Sequence, residues 1–438
     1  MANNKDFVVA GAVEVGKDTK VTLGTVTSNN IDLATGNYFA DTPSGASTYT
    51  ISNAGAVQSF QLEVTGGTAE VAQNFSTTLY TGNGSTQTIT NGIDLAGDGG
   101  MVWTKSRSTG ANHHIVDTER GVGDTLFPNT SGAEFNMDSV TGFLGSGFTL
   151  GNNASSNSNG NDFVSWTFKK EPSFFDVVTY TGTASNKTVS HNLGSIPGMI
   201  IVKRTDTAAV WAIYHRGANG GTNPEQYHFH FNTDAQSPIS SFWNDTAPTD
   251  SVFTVGTDDD TNASGGSYIA YLFAHDNAAD GLIQCGSYTG NGSSNGPEIN
   301  LGWQPQWVMI KAATRPGGEN WVIYDTQRGI VTGSGDPALF PSDSAAEDFG
   351  GSADNSIDLL STGFKIVGTS GRVNDSYDYI YVAIRAASDL DITWPSSIEW
   401  TGGSAPSSPA TGETDVFTLS TDDGGTTYTG IKSIDNAS

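Results

Sequence analysis

MVWTKSR at residues 101–107, MIIVKR at 199–204 and WVMIKAA at 307–313 decide the fold. Each is a short apolar run carrying one lysine near its end, and each sits in the same surroundings. Upstream stands Tyr-Thr-Gly, at Tyr80–Gly82, Tyr180–Gly182 and Tyr288–Gly290. Downstream a second strand follows in register: HHIVDTERG ending at Arg120-Gly121, WAIYHRG ending at Arg216-Gly217, and WVIYDTQRG ending at Arg328-Gly329. After an irregular stretch come GFTLG around Phe148, VFTVG around Phe253 and GFKIVG around Phe364. Each unit closes on an aromatic strand, DFVSWTF, SYIAYLF or DYIYVAI. One theme is therefore written three times, in units of about 100–110 residues.

Inside these segments apolar and polar positions alternate with period two between Gly/Asn/Asp/Ser clusters, the pattern of half-buried antiparallel strands. Helical spacing is nowhere sustained. Units of this length with short, evenly spaced strands fit a two-sheet sandwich or jelly roll and exceed a propeller blade or a solenoid turn. Asn83-Gly84, Asn91-Gly92, Asn219-Gly220 and Asn291-Gly292 are dipeptides that accept the positive φ of tight hairpin turns. The expected class is all-β, with tandem β-sandwich or jelly-roll-like repeats at residues 73–173, 174–281 and 282–389. The flanks, residues 20–72 and 390–438, each offer three or four strands, too few to close a sandwich alone. Their sum suits one small β domain, so the repeats are read as inserted into a discontinuous domain. Residues 1–19 are read as an N-terminal leader or anchor, alternating in DFVVAGAVEV and able to add as an edge strand to a partner.

Composition bounds the function. Of 438 residues only 15% are charged, and 19 Lys+Arg against 46 Asp+Glu leave a net charge of −27. Such a surface repels nucleic acid and anionic membranes, so neither is expected as a partner. Cys285 is the single cysteine, which excludes an intrachain disulfide and a cysteine-based metal cluster. No run approaches the length of a transmembrane helix, and the opening MANNKDFVVAGAVEVGKDTK lacks the basic and apolar regions of a secretory signal. The expectation is synthesis in a host cytoplasm and release by another route, such as assembly into a particle freed by lysis.

The flanks resemble known sequences. MANNKDFVV with VEVG, then TLGTVTSNNIDLATGNYF, STYTISN and VQSFQLEVTGG, with the ending ITWPSSIEWTGGSAP and GETDVFTLSTDDGGTTYTG, are similar to the terminal parts of structural proteins of marine tailed phages, including cyanophages. The repeats, with YTG, the lysine strand, the Arg-Gly turn and the GF strand, resemble a domain of the same phage proteins. The resemblance implies a virion component, a tail fibre or other appendage contributing to host attachment, and no catalytic residue. It implies a homotrimer bound to other virion proteins of tail or capsid, meeting a host surface glycan or protein. Capsid decoration or a head fibre is the alternative, and a polysaccharide depolymerase is the second alternative.

Lys105, Lys203 and Lys311, with Arg120, Arg216 and Arg328, recur in the repeats and are read as structural, forming internal ion pairs in an acidic chain. His113, His114, Asp117 and Glu119 lie beside Arg120, yet only the Arg-Gly recurs, which speaks against catalysis. His228 and His230 share one strand face at two-residue spacing, a candidate ligand pair. Asp258, Asp259 and Asp260 form a Gly-flanked acidic loop of the kind that offers oxygens to a structural cation such as calcium. Trp243, with Asn244 and Asp245 in SSFWNDTAP, is read as an exposed aromatic in a loop, suited to sugar recognition. No cofactor is otherwise expected.

Overall fold

The computed structural model describes residues 24, 26–27, 29–41, 47–65, 70–278, 281–330, 332–333, 335–348, 355–387, 392–401, 403–406 and 414–434. The leader 1–19 lies outside the described residues. The chain is all-β and divides into two compact units, Met1–Glu70 with Ser388–Ser438, and Val71–Ala387.

The first unit is built on a five-stranded sheet in the order Tyr38–Asp41, Gln58–Thr65, Thr414–Thr421, Tyr428–Ile434, Ile398–Trp400. Its centre joins the two ends of the chain: Gln58–Thr65 runs antiparallel to Thr414–Thr421, from Thr65 opposite Thr414 to Gln58 opposite Thr421. Alternate residues Phe60, Leu62 and Val64 with Phe417 and Leu419 supply the buried face, and Trp394 and Trp400 close over Phe417 at 4.7 and 6.0 Å between ring centroids.

In the second unit every repeat builds one large and one small sheet. The larger is four-stranded and antiparallel: Phe75–Thr81, Asp162–Lys169, Gly100–Ser106, His114–Asp117 in the first repeat. Phe175–Thr181, Ser267–Ala274, Pro197–Arg204, Trp211–His215 repeat that order in the second, and Ile283–Thr289, Asp378–Arg385, Pro305–Ala312, Val322–Asp325 in the third. Smaller sheets contain Gln87–Thr90 with Gly147–Leu150 and Val140–Leu144, Lys187–Ser190 with Val252–Val255, and Glu298–Asn300 with Gly363–Ile366 and Ile357–Leu360.

The Tyr-Thr-Gly motif locks the sheet to a loop. Tyr80, Tyr180 and Tyr288 donate their hydroxyls to the carbonyls of Ser156, Thr261 and Val373 at 2.6–2.7 Å. Their rings stack on Phe163, Tyr268 and Tyr379 at 5.0–5.2 Å. At Gly82, Gly182 and Gly290 a Cβ would lie 2.1–2.2 Å from a carbonyl oxygen of Ser158, Ala263 or Asp375, so no larger residue fits.

One face of each large sheet packs on its own small sheet; in the first repeat Val102, Val116 and Phe163 meet Ile89, Phe148 and Leu150. The other face carries Met101, Trp103, Trp166 and Phe168, paired across the strands, and it is buried too. The half-buried reading of these strands is thus corrected: Gly100–Ser106 is buried along its whole length, and so is nearly all of the two equivalent strands. The second face packs against the other repeats. Phe168 meets Phe273 of the second repeat at 5.5 Å and Trp307 of the third at 6.0 Å, and Trp103 meets Phe231 of the second at 6.0 Å.

The packing is cyclic. His113, Trp211 and Trp321 occupy one equivalent position, four residues before the end of the second strand. His113 Nε2 lies 2.9 Å from the Phe340 carbonyl, Trp211 donates to the Phe127 carbonyl at 3.2 Å, and Trp321 donates to the His230 carbonyl at 2.7 Å. The first repeat reaches the third, the second reaches the first, and the third reaches the second. The acceptors are equivalent as well, each following a residue, Leu126, Phe229 or Leu339, that bridges Ile115, Ile213 or Ile323. The three repeats, each with its large and its small sheet, close around a shared core with pseudo-threefold symmetry.

Candidate functional site

The recurring lysines are fully buried and make no salt bridge among the described residues, which corrects the ion-pair reading. Each ammonium instead caps backbone carbonyls. Lys105 reaches Ser106 at 2.7 Å; Lys203 reaches Arg204 at 2.9, Ala209 at 3.0 and Ser131 of the first repeat at 3.3 Å. Lys311 donates to Glu319 and, at 3.3 Å, to Asn232 of the second repeat. Burial pulls these ammonium groups down to about 8, 8 and 7 respectively.

Two of the recurring arginines do form buried ion pairs. Arg120 holds Asp117 at 2.6 Å and Glu134 at 2.8 Å; Arg328 holds Asp325 at 2.6 Å and Glu347 at 3.1 Å. The arginine-bound oxygen of each aspartate accepts a further bond from another repeat, Asp117 from the Tyr271 hydroxyl at 2.8 Å and Asp325 from the Trp166 indole at 2.9 Å. Asp117 is thereby bound into the frame of the fold.

The second repeat breaks this pattern. His215 stands where the others have aspartate. Its Nδ1 accepts from Gly217 N at 3.0 Å, so Nε2 carries the proton and donates to the Tyr381 carbonyl at 3.0 Å. Burial holds this imidazole neutral down to about pH 3. Buried Ala218 takes the place of Arg120 and Arg328. Arg216 is in register with Thr118 and Thr326 instead, because the backbone N–H groups of all three bond the same strand, at Gly100, Gly198 and Gln306 carbonyls. Its reading as a third structural arginine is corrected: the side chain is exposed and has no carboxylate partner among the described residues.

Arg216 opens onto a cleft of about 410 Å³ lined by Ile196, Pro197, Tyr214, Arg216, Gly221, Pro224 and His275. The wall is a turn of unusual backbone, with positive φ at Asn219, Gly220, Gly221 and Asn223. The Tyr214 ring is buried against Trp243 at 6.1 Å, while its hydroxyl bonds no protein group among the described residues. His275 Nδ1 accepts from Cys285 N at 3.2 Å, which leaves the proton on Nε2.

Other readings change as well. Trp243 is not an exposed loop residue: it ends the short helix Ser240–Trp243, is 2% exposed and donates to the Tyr227 carbonyl at 3.1 Å. The cause is its apolar neighbourhood, since Tyr214 and Phe242 enclose it. Asn244 and Asp245 follow with positive φ, Asp245 exposed to solvent. His228 and His230 do come together, rings 4.7 Å apart and His228 4.5 Å from Phe242, but no group of three potential metal-ligating side chains exists among the described residues. Asp258 caps the helix Asp259–Asn262, accepting from Asp260 N and Ser241 Oγ, and Asp260 accepts from Val210 N, so two of the three carboxylates serve the backbone.

Sequence reasoning missed Asn157, Asn262 and Asn374. Each is buried, accepts the backbone N–H of Asn83, Thr183 or Asn291, and donates to two carbonyls: Ser85 and Gly151, Ser185 and Gly256, or Ser293 and Gly368. The available signal was an asparagine five or six residues before the closing aromatic Phe163, Tyr268 or Tyr379.

These features define a class: an all-β body of three repeats closed by buried polar groups, with symmetry broken at one arginine-bearing cleft. The sequence profile of a family described as a domain of unknown function, DUF7483, matches residues 70–387, and the chain belongs to that family. The matched span coincides with the second compact unit. No curated protein matches the chain.

Proposed function

We propose that the protein is a non-enzymatic structural component of a phage virion, a tail fibre or similar appendage, and that the second-repeat cleft faces the host surface. The carrying observation is the contrast between repeats. Every recurring charged group of the first and third repeats is occupied in holding the body together, whereas the second spends its equivalent segment on an open cleft. The resemblance of both flanks to structural proteins of marine tailed phages supports the virion setting. Homotrimeric assembly and attachment to other virion proteins belong to the same reading, as does localisation in the particle after synthesis in the host cytoplasm. Cryo-electron microscopy of purified virions tests it. The expected result is density for this chain in a few three-fold copies on the tail; absence from the particle overturns the proposal.

A further inference from the structure

We infer that the second-repeat cleft holds a carboxylate-bearing sugar residue anchored by the Arg216 guanidinium. The inference rests on the attachment reading for the source of that sugar, a polysaccharide of the host surface.

An anion is indicated by charge. In a chain of net charge −27, an exposed guanidinium without a carboxylate partner is an unspent cation, while Arg120 and Arg328 are each bonded to two acids. Glu225 lies close enough to raise the Tyr214 phenol further, yet it forms no salt bridge with Arg216. The segment that loses the buried pair, His215 to Gly221, is also the one that supplies Arg216 and Gly221 to the cleft, so the departure from symmetry adjoins the proposed site.

A carboxylate suits the site better than a phosphate. The guanidinium fork makes two parallel hydrogen bonds to a planar carboxylate, and a single arginine suffices for that pairing. No lysine or second arginine lines the cleft to balance a dianion. A sugar suits the remainder. The Tyr214 hydroxyl donates or accepts, His275 Nε2–H donates, and Ile196, Pro197 and Pro224 present apolar surface to the C–H face of a pyranose. Ile196 is 59% exposed at the rim and so offers its apolar surface to a ligand in the cleft. The volume of about 410 Å³ is at the small end for ligand sites, matching one or two sugar units. The frame is rigid: Trp243 backs Tyr214, and the Arg216 N–H is tied to the Gly198 carbonyl at 2.8 Å.

The test is saturation-transfer NMR with isothermal titration on the full chain, using glucuronate trisaccharide, the neutral glucose trisaccharide and inorganic phosphate. Binding of the glucuronate probe is expected, with the neutral probe weaker by roughly tenfold or more, because the charge-assisted pair is lost. Arg216→Ala should abolish the preference for the acidic probe, and Arg216→Lys should restore part of it. Unchanged thermal unfolding of both variants shows that the site, not the fold, was altered. Equal affinity for acidic and neutral probes, full binding by Arg216→Ala, or complete displacement by phosphate each overturns the inference. Immunoblotting of purified virions separates the two proposals. Glucuronate binding by a protein absent from virions sinks the attachment reading alone, and a virion protein that binds no glucuronate probe sinks this inference alone.

Discussion

Arg328 and Arg216 occupy similar words in the sequence, Arg-Gly, and opposite physical situations. Arg328 is fully buried between Asp325 and Glu347, so Arg328→Met leaves buried Asp325 without its cation, while Glu347 keeps Arg107, and should cost about 3–5 kcal/mol. Arg216→Ala removes an exposed side chain and should stay within about 0.5 kcal/mol. Urea midpoints of the two variants decide the matter, and equal losses would disprove the assignment. Titration provides a second residue-scale prediction. Burial pushes His113 and His215 below the usual imidazole range, so under about pH 6.5 the unfolded chain takes up protons that the native one refuses. Lys105, Lys203 and Lys311 are likewise lowered, so above about pH 8 the unfolded chain keeps protons the native one has released. In both windows the unfolded state holds more protons, and stability must rise with pH. Each buried histidine should contribute a slope of about 1.4 kcal/mol per pH unit below 6.5. Unfolding midpoints at pH 5, 7 and 9 should therefore increase in that order; a flat series contradicts the burial of these groups.

At the scale of elements, each repeat is pinned where its first strand passes the loop before its last. Tyrosine, glycine and asparagine act together there: the hydroxyl fills one loop carbonyl, the missing Cβ admits another, and the amide satisfies two more. Asn374→Asp replaces the donor to Ser293 and Gly368 with an acceptor, and should destabilise by roughly 2–5 kcal/mol. Gly182→Ala places a methyl 2.1 Å from the Ala263 carbonyl and should lower the thermal midpoint measurably, since backbone rather than a flexible side chain must move. A midpoint equal to that of the parent for both variants would mean that the loop is free to shift. The Tyr-Thr-Gly motif was legible because it is contiguous. The asparagine was not, because its partners Asn83, Thr183 and Asn291 lie more than seventy residues away in the chain.

At the scale of the molecule, closure is the property that matters. Trp307 of the third repeat packs on Phe75 and Phe168 of the first, on the sheet face that also carries Met309, Val382 and Ile384, so an isolated third repeat exposes these buried side chains. Residues 71–387 expressed together should unfold in one calorimetric transition. The third repeat alone should self-associate, as read by sedimentation. Three resolved transitions, or a monomeric single repeat, would contradict a shared core. The polar contacts at the seams also keep the order of the repeats. Tyr271 answers Asp117 and Trp166 answers Asp325, while His215 meets the Tyr381 carbonyl beside Val382, a residue with no donor to offer. Exchanging two repeats within the chain would place an aspartate against Val382 and leave its buried carboxylate short of a donor.

The all-β class could be read from the chain itself, because strand alternation and turn residues are local properties written in contiguous stretches. The recurrence of tyrosine, glycine, lysine and the closing aromatic strand was equally open to reading. Tertiary structure alone decided that the lysine strands are buried on both faces, that Trp243 is core, and that Arg216 is two positions out of register with Arg120 and Arg328. Those outcomes depend on which surfaces meet, and a run such as MIIVKR looks the same whether its second face meets water or another repeat.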